Sequence, residues 1–252
     1  MDELIISPYF LAGIFFVVAF AYASVGLGGG SSYAALMAIF GVSHLAIPTI
    51  ALTLNLVVTS AASINYIRHR HLRLGLILPF MVTSIPFSYL GGSLVLPEEI
   101  FYWLLLITLC VVLVRIYAFD TVALRVTPGR SGQIAIALFT GSLLGFIAGS
   151  VGIGGGVYLV PLIIILGLGT EKEAAACGAA FVLLNSVSGL IARLPRHGID
   201  ILEIMPLLVA VLVGGLAGSQ AGSARFSSRM MDKILGVIIL LAILFLVRRL
   251  WH

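Results

Sequence analysis

The sequence has little charge: Asp, Glu, Lys and Arg make up 10% of its 252 residues, against about a quarter in an average soluble domain. Hydrophobic residues make up 61%, and the mean hydropathy is +1.19. Short connections separate the apolar runs, and none of them is long enough to fold as a separate soluble domain. The composition therefore excludes an ordinary soluble protein and predicts an all-α polytopic membrane protein.

Carboxylates are missing from the middle of every apolar run. Those near the runs lie at their ends: Glu98, Glu99, Glu171, Glu173, Asp200 and Glu203. These positions do not support an intramembrane aspartyl protease or an HExxH metalloenzyme, and they leave no buried acidic proton relay. Cys110 and Cys177 have no partner at metal-ligand spacing and are expected to be free thiols. We expect no enzymatic activity, no metal and no cofactor.

The sequence also lacks a basic patch interleaved with aromatic residues, although Lys and Arg outnumber Asp and Glu by 14 to 10. The basic residues stand at the ends of apolar runs, as the positive-inside rule predicts for membrane loops. We therefore expect no nucleic-acid partner. The clusters at 68–73 and 195–197 could attract anions to the mouth of a cavity, but topology-setting loops are the favoured interpretation.

Glycine is abundant by contrast, and it is concentrated in a motif that occurs twice. Residues 24–30 read SVGLGGG and residues 150–156 read SVGIGGG, 126 residues apart in the chain. Four glycines in five positions should end a helix, because glycine is the costliest helix residue after proline. Inside a bilayer such broken backbone is tolerated only where protein or a polar cavity satisfies its freed groups. Two matched breaks are typical of the binding site of a transporter.

The landmarks around the motif also repeat, which predicts an internal duplication into two homologous halves. The first repeat spans residues 1–120 and the second 133–252, joined by a polar linker at 121–132 within one integral membrane domain. We expect about 8 to 10 transmembrane or re-entrant helices. Five segments per half would make the repeats inverted, and four would make them parallel. Lys and Arg divide ten to four in both arrangements, so the positive-inside rule leaves the topology open.

The two glycine motifs are the first candidate site. Successive amides at a glycine turn that opens a helix favour an anion, through hydrogen bonds and the helix dipole. The alternative interpretation is that these glycines only permit close helix packing. The predicted substrate-binding residues at the motifs are Ser24, Gly26, Gly28, Gly29, Gly30 and Ser31 in the first half and Ser150, Gly152, Gly154, Gly155 and Gly156 in the second.

Two asparagines in the middle of long apolar runs, Asn55 and Asn185, are the second candidate. A mid-span amide is costly unless it bonds across helices or lines a wet cavity, so interhelical bonding and substrate contact are alternatives. A polar insert at 170–173 shifts Asn185 by one helical turn relative to Asn55, which argues against strict equivalence. Glycines at four-residue spacing predict tight helix packing: Gly141, Gly145 and Gly149, then Gly214, Gly218 and Gly222.

The doubled motif, with an asparagine in the long helix that follows, resembles the TauE/SafE family of membrane proteins, also described as sulfite exporters. The resemblance covers the chain from about Phe10 to Leu250. It implies a secondary transporter with about eight spans from an internal duplication. It also implies that the substrate is a small sulfur-containing anion, such as sulfite or an organosulfonate, commonly moved outwards, with the glycines of both motifs at the core.

We therefore expect a multi-pass carrier in a bacterial-type inner membrane, working by alternating access around a central anion site. Uptake of another small solute, a channel-like pathway and a non-transporting scaffold subunit are the alternatives. The coupling proton or cation, the direction of transport and the oligomeric state are left open at this point.

Overall fold

The structure, a computed structural model, describes residues 8–24, 26–118, 129–195, 200–224 and 228–250. Within these ranges every regular element is an α-helix, which confirms the predicted all-α class. The helices are α1 Pro8–Ser24, α2 Gly30–Ile39, α3 Ile47–Arg68, α4 Leu74–Ser93, α5 Glu98–Ala118, α6 Arg130–Val151, α7 Gly156–Ile165, α8 Glu171–Arg193, α9 Ile201–Ala224 and α10 Ser228–Leu250. Positions 121–128 of the predicted linker lie outside the described residues.

Five of these helices are long and apolar enough to cross a bilayer: α3, α4, α6, α8 and α9. In contrast, α2 and α7 have only ten residues each. At about 1.5 Å per residue such a helix reaches about 15 Å, half of a hydrocarbon core of about 30 Å. The glycine motifs therefore open two helices that reach only part of the way across a membrane.

The centre of the bundle is formed by α3 and α8. In each of them 72% of the residues in an apolar stretch of 18 residues are buried, against 33% in the corresponding stretches of α4 and α9. Tyr66, near the end of α3, packs with Ala175 and Ala179 near the start of α8. Leu52, in the first half of α3, lies beside Gly189 in the last part of α8. The two central helices therefore run antiparallel.

Five of the six glycines predicted to pack closely lie where pairs of helices approach each other, and the surroundings of Gly222 are outside what the structure describes. These contacts pair Gly141, Gly145 and Gly149 of α6 with Phe80, Ser84 and Ser88 of α4, and Gly214 and Gly218 of α9 with Phe16 and Phe20 of α1. A methyl group at Gly145 would overlap the Ser84 carbonyl, so only glycine permits this approach. Because the residue numbers rise together, α6 runs parallel to α4 and α9 runs parallel to α1.

These directions define two faces of the bundle. At the Arg73 face, α3 ends and α4 and α8 begin, and Arg73 Nη1 lies 3.4 Å from Glu173 Oε1. At the His44 face, α3 and α5 begin and α8 ends, and His44 Nδ1 lies 4.0 Å from Glu98 Oε2. From the breaks, α2 leads to the His44 face and α7 leads to the Arg73 face.

The polar insert at 170–173 caps the start of α8. Glu173 N–H donates to Thr170 Oγ1 at 3.4 Å, and Thr170 N–H donates to Glu173 Oε2 at 2.8 Å. This reciprocal capping box satisfies two amides that a helix start leaves without intrahelical acceptors. It fixes where α8 begins and hence which α8 residues reach the level of the glycine breaks.

Candidate substrate site

The two glycine breaks lie against each other in the middle of the bundle. A methyl group added at Gly30, the first residue of α2, would lie 2.5 Å from the Gly152 carbonyl oxygen and 2.9 Å from that of Ile153. A methyl group added at Gly154 would lie 2.7 Å from the Val182 side chain of α8. The breaks are far apart in sequence, so the tertiary structure brings Gly28, Gly30, Gly152 and Gly154 together. Gly26 lies instead against Ala175, Gly29 against Tyr33 and Gly155 against Phe181.

Both short helices begin at a glycine in the left-handed conformation. Gly29 precedes α2 with φ 86°, and Gly155 precedes α7 with φ 74°. Among the described side chains, none caps either N-terminus. The first backbone bonds into the helices run from Tyr33 N–H to the Gly29 carbonyl at 3.0 Å and from Tyr158 N–H to the Gly155 carbonyl at 3.2 Å. The amides ahead of them belong to the first turn, which has no intrahelical acceptor.

Asn55 lies between the two breaks. Its side chain is fully buried, and its Nδ2 donates to the Gly152 carbonyl at 3.1 Å. A methyl group at Gly28 would lie 2.6 Å from Asn55 Oδ1, so this amide contacts both motifs. Within the described part of the chain, Oδ1 has no hydrogen-bond partner. Asn55 therefore joins the breaks and keeps one acceptor free beside them.

Asn185 is not placed in the same way. Methyl groups at Gly28, Gly154 and Gly156 would all meet Val182, which lies one helical turn before Asn185. The Asn185 amide is buried and its Nδ2 donates within its own helix, to the Phe181 carbonyl at 2.8 Å. Asn185 is therefore shifted by one turn along α8, as expected. Val182 faces the breaks from α8, whereas Asn55 faces them from α3.

The serine hydroxyls beside the motifs are used in hydrogen bonds of the fold. Ser24 Oγ donates to the Ala21 carbonyl at 2.7 Å, and Ser150 Oγ donates to the Phe146 carbonyl at 2.8 Å. Ser31 Oγ lies 2.8 Å from the Tyr22 hydroxyl. In this conformation the donors at the breaks are therefore main-chain amides rather than serine hydroxyls.

Near the end of each central helix, one side chain donates hydrogen bonds to the helix that precedes a glycine break. At the first break the Tyr66 hydroxyl donates to the Ser24 carbonyl at 3.2 Å. At the second, Arg193 donates from Nε to the Gly149 carbonyl at 3.1 Å and from Nη2 to the Ser150 carbonyl at 2.7 Å. Sequence reasoning missed both residues, because a tyrosine or an arginine at the end of an apolar run is ordinary.

The basic cluster at 68–73 lies at the Arg73 face of the bundle and not at the breaks. The rings of His69 and His71 stack at 6.2 Å between centroids at the Arg73 face. Burial, together with the charge of Lys172 and the neighbouring His69, lowers the pKa of His71 below its ordinary value. The predicted cluster at 195–197 is described only at Pro195.

The long apolar helices, together with the two short helices that start at the glycine motifs, define an integral, multi-pass membrane protein. The chain belongs to the family described as Sulfite exporter TauE/SafE, whose profile matches residues 11–246. It is also similar to the "Probable membrane transporter protein y4hK" of Sinorhizobium fredii (strain NBRC 101917 / NGR234). The two are 39% identical over 183 residues, which are 72% of this chain and 74% of that protein. No solved structure matches the chain. The protein is therefore a membrane transporter, which is not an enzymatic role.

Proposed function

We propose that this transporter is a secondary carrier of a small anion, bound where the two glycine breaks meet. The observation that carries the proposal is the meeting of two helix N-termini, each opened by a left-handed glycine, around the buried Asn55. A helix N-terminus attracts an anion through its free amides and its dipole, equivalent to about half a positive charge. Main-chain amides would thus replace water around the substrate.

The arrangement of the helices supports two inverted repeats, residues 1–120 and 133–252. Each helix that ends at a glycine motif packs in parallel against the fourth helix of the other half, α1 on α9 and α6 on α4. The equivalent central helices, α3 and α8, run antiparallel, as a two-fold axis in the membrane plane requires. Rocking of one half against the other around the breaks would give alternating access.

The Arg73 face is proposed to be cytoplasmic. If each half has five segments, the order of the segments in the sequence assigns ten of the 14 lysines and arginines to this side of the membrane, including Arg68, Arg70 and Lys172. The positive-inside rule favours this orientation in a bacterial inner membrane. The family description supports a sulfur oxyanion such as sulfite as substrate, with export as its direction. Coupling to a proton or cation gradient is part of the same proposal.

Counterflow in proteoliposomes tests the carrier and its site. Liposomes preloaded with unlabelled sulfite should accumulate labelled sulfite, because a carrier exchanges solute whereas a channel only equilibrates it. Asn55→Leu should lower the exchange rate at least about tenfold, since it removes the amide that joins the breaks. Asn185→Leu is the matched control: it changes the buried asparagine of α8 that lies one turn after Val182. It should lower the exchange rate less. Equal rates for wild type and Asn55→Leu would contradict the proposed site, and equilibration without exchange would favour the channel-like alternative.

A further inference from the structure

A small cavity lies at the His44 face, beside the second glycine break. Arg193, Ser150, His44, Pro48 and Leu96 are among the residues that line it. Its volume of about 10 Å³ admits roughly one water-sized group. His44 is partly exposed, with 21% of its side-chain surface accessible, so the cavity lies near the surface of the bundle.

The cavity contains a buried positive charge. Arg193 is only 4% exposed, and both of its hydrogen bonds go to main-chain carbonyls, which carry no formal charge. No ion pair involves Arg193 within the described ranges. A guanidinium has five N–H donors and stays protonated, and removing it from water is costly without a counter-charge. The helix end that it caps balances only part of this charge.

Capping the helix does not itself require a charge. At the other break Tyr66 does the same for α1 with a neutral hydroxyl, which donates to the Ser24 carbonyl. Tyr66 makes one such bond and Arg193 makes two, and only Arg193 adds a buried charge. This difference assigns the charge a use beyond holding a carbonyl.

The neighbouring charges are compatible with an anion in the cavity. His44 contributes an imidazole to the lining, and Glu98 lies 4.0 Å from that ring with 55% of its side chain exposed. Solvent screens the repulsion from such an exposed carboxylate. Arg193 is held to Ser150, two residues before Gly152, so a ligand here would contact the end of the helix that leads into the second break.

We propose that Arg193 is an anion-binding residue at the mouth of the transport pathway, where its guanidinium receives one oxygen of a small oxyanion in the cavity lined by His44 and Ser150. This inference rests on the proposed function, because it places a second binding step on the same route. The size of the cavity limits the inserted group to a single anionic oxygen, with the rest of the ion at the His44 face.

The test is thermal unfolding of the detergent-purified full chain in increasing sodium sulfite, at constant ionic strength set with sodium gluconate. Arg193→Gln should raise the sulfite concentration for half-maximal stabilisation about tenfold or more, because a charge-assisted hydrogen bond is lost. Arg193→Lys should raise it less. Arg73→Gln, the same change at an exposed arginine of the opposite face, is the matched control and should leave it unchanged.

Leu96→Trp provides a second variant that keeps the arginine and its bonds to α6. It fills the cavity and should weaken stabilisation by sulfite as Arg193→Gln does, so it decides the question if Arg193→Gln does not fold. If both variants follow the wild-type curve while wild-type counterflow of sulfite continues, the mouth site is refuted and the central carrier stands. If the wild type shows neither stabilisation nor counterflow, the proposed function and the mouth site both fail.

Discussion

Gly30→Ala is the sharpest test of the contact between the two breaks. Gly30 is the first residue of α2, and the added methyl group would overlap Asn55 Nδ2. It would also lie 2.5 Å from the Gly152 carbonyl oxygen, whereas carbon–oxygen contacts ordinarily begin at about 3.3 Å. The breaks must therefore separate by roughly 1 Å, which removes the hydrogen bond from Asn55 to Gly152.

The magnitude follows from three contributions. Overpacking of a tight site costs about 1–3 kcal/mol. Loss of the hydrogen bond from Asn55 adds about 1 kcal/mol, and the higher helix propensity of alanine returns up to about 1 kcal/mol. The free energy of unfolding should thus fall by about 1–4 kcal/mol, which lowers the melting temperature by roughly 2–16 °C at this chain length.

The matched control is Gly13→Ala in α1. Gly13 has open space around its Cα, so a methyl group meets no atom within 4 Å. The same substitution should leave the melting temperature unchanged or raise it, because only the propensity gain remains. Thermal unfolding of both variants in one detergent measures the difference, and sulfite counterflow should fall with Gly30→Ala only. If Gly30→Ala melts at or above the wild type, Gly30 does not pack against the Gly152 carbonyl.

Two further predictions concern the ends of α3 and the topology. Tyr66→Phe removes the hydroxyl that donates to the buried Ser24 carbonyl, so it should lower the free energy of unfolding by about 1 kcal/mol, measured by thermal unfolding. An unchanged melting temperature would show that this carbonyl is satisfied in another way. In a cysteine-free background, Arg70→Cys and Leu194→Cys, which follow the equivalent helices α3 and α8, should react with a membrane-impermeant maleimide from opposite sides of the membrane. Labelling of both from one side would contradict the inverted arrangement.

Much of the helix pattern could be predicted from composition and glycine spacing. The motif at 24–30 separates α1 from α2 and the motif at 150–156 separates α6 from α7, at the positions where the glycines were expected to end a helix. The close packing of α6 on α4 was likewise predicted from the spacing of Gly141, Gly145 and Gly149. Both predictions succeed because backbone freedom and side-chain size are local properties of glycine.

The roles of the two asparagines could not be separated in the same way. Both occupy similar places in long apolar runs, yet Asn55 joins the breaks while Val182 takes the facing position on α8. The sequence indicated a shift of one turn through the insert at 170–173. Which side chain then faces the breaks depends on how α8 packs after its capping box fixes its start.

The amino-acid sequence by itself determined that this protein is a helical membrane transporter of the TauE/SafE family with two glycine breaks between helices, because hydropathy and glycine content act within a few neighbouring residues. Only the tertiary structure decided that the two interruptions touch, that Asn55 bonds across 97 residues to Gly152, and that Arg193 is buried. These features depend on the antiparallel packing of α3 and α8, and such long-range contacts leave no local signal in the chain.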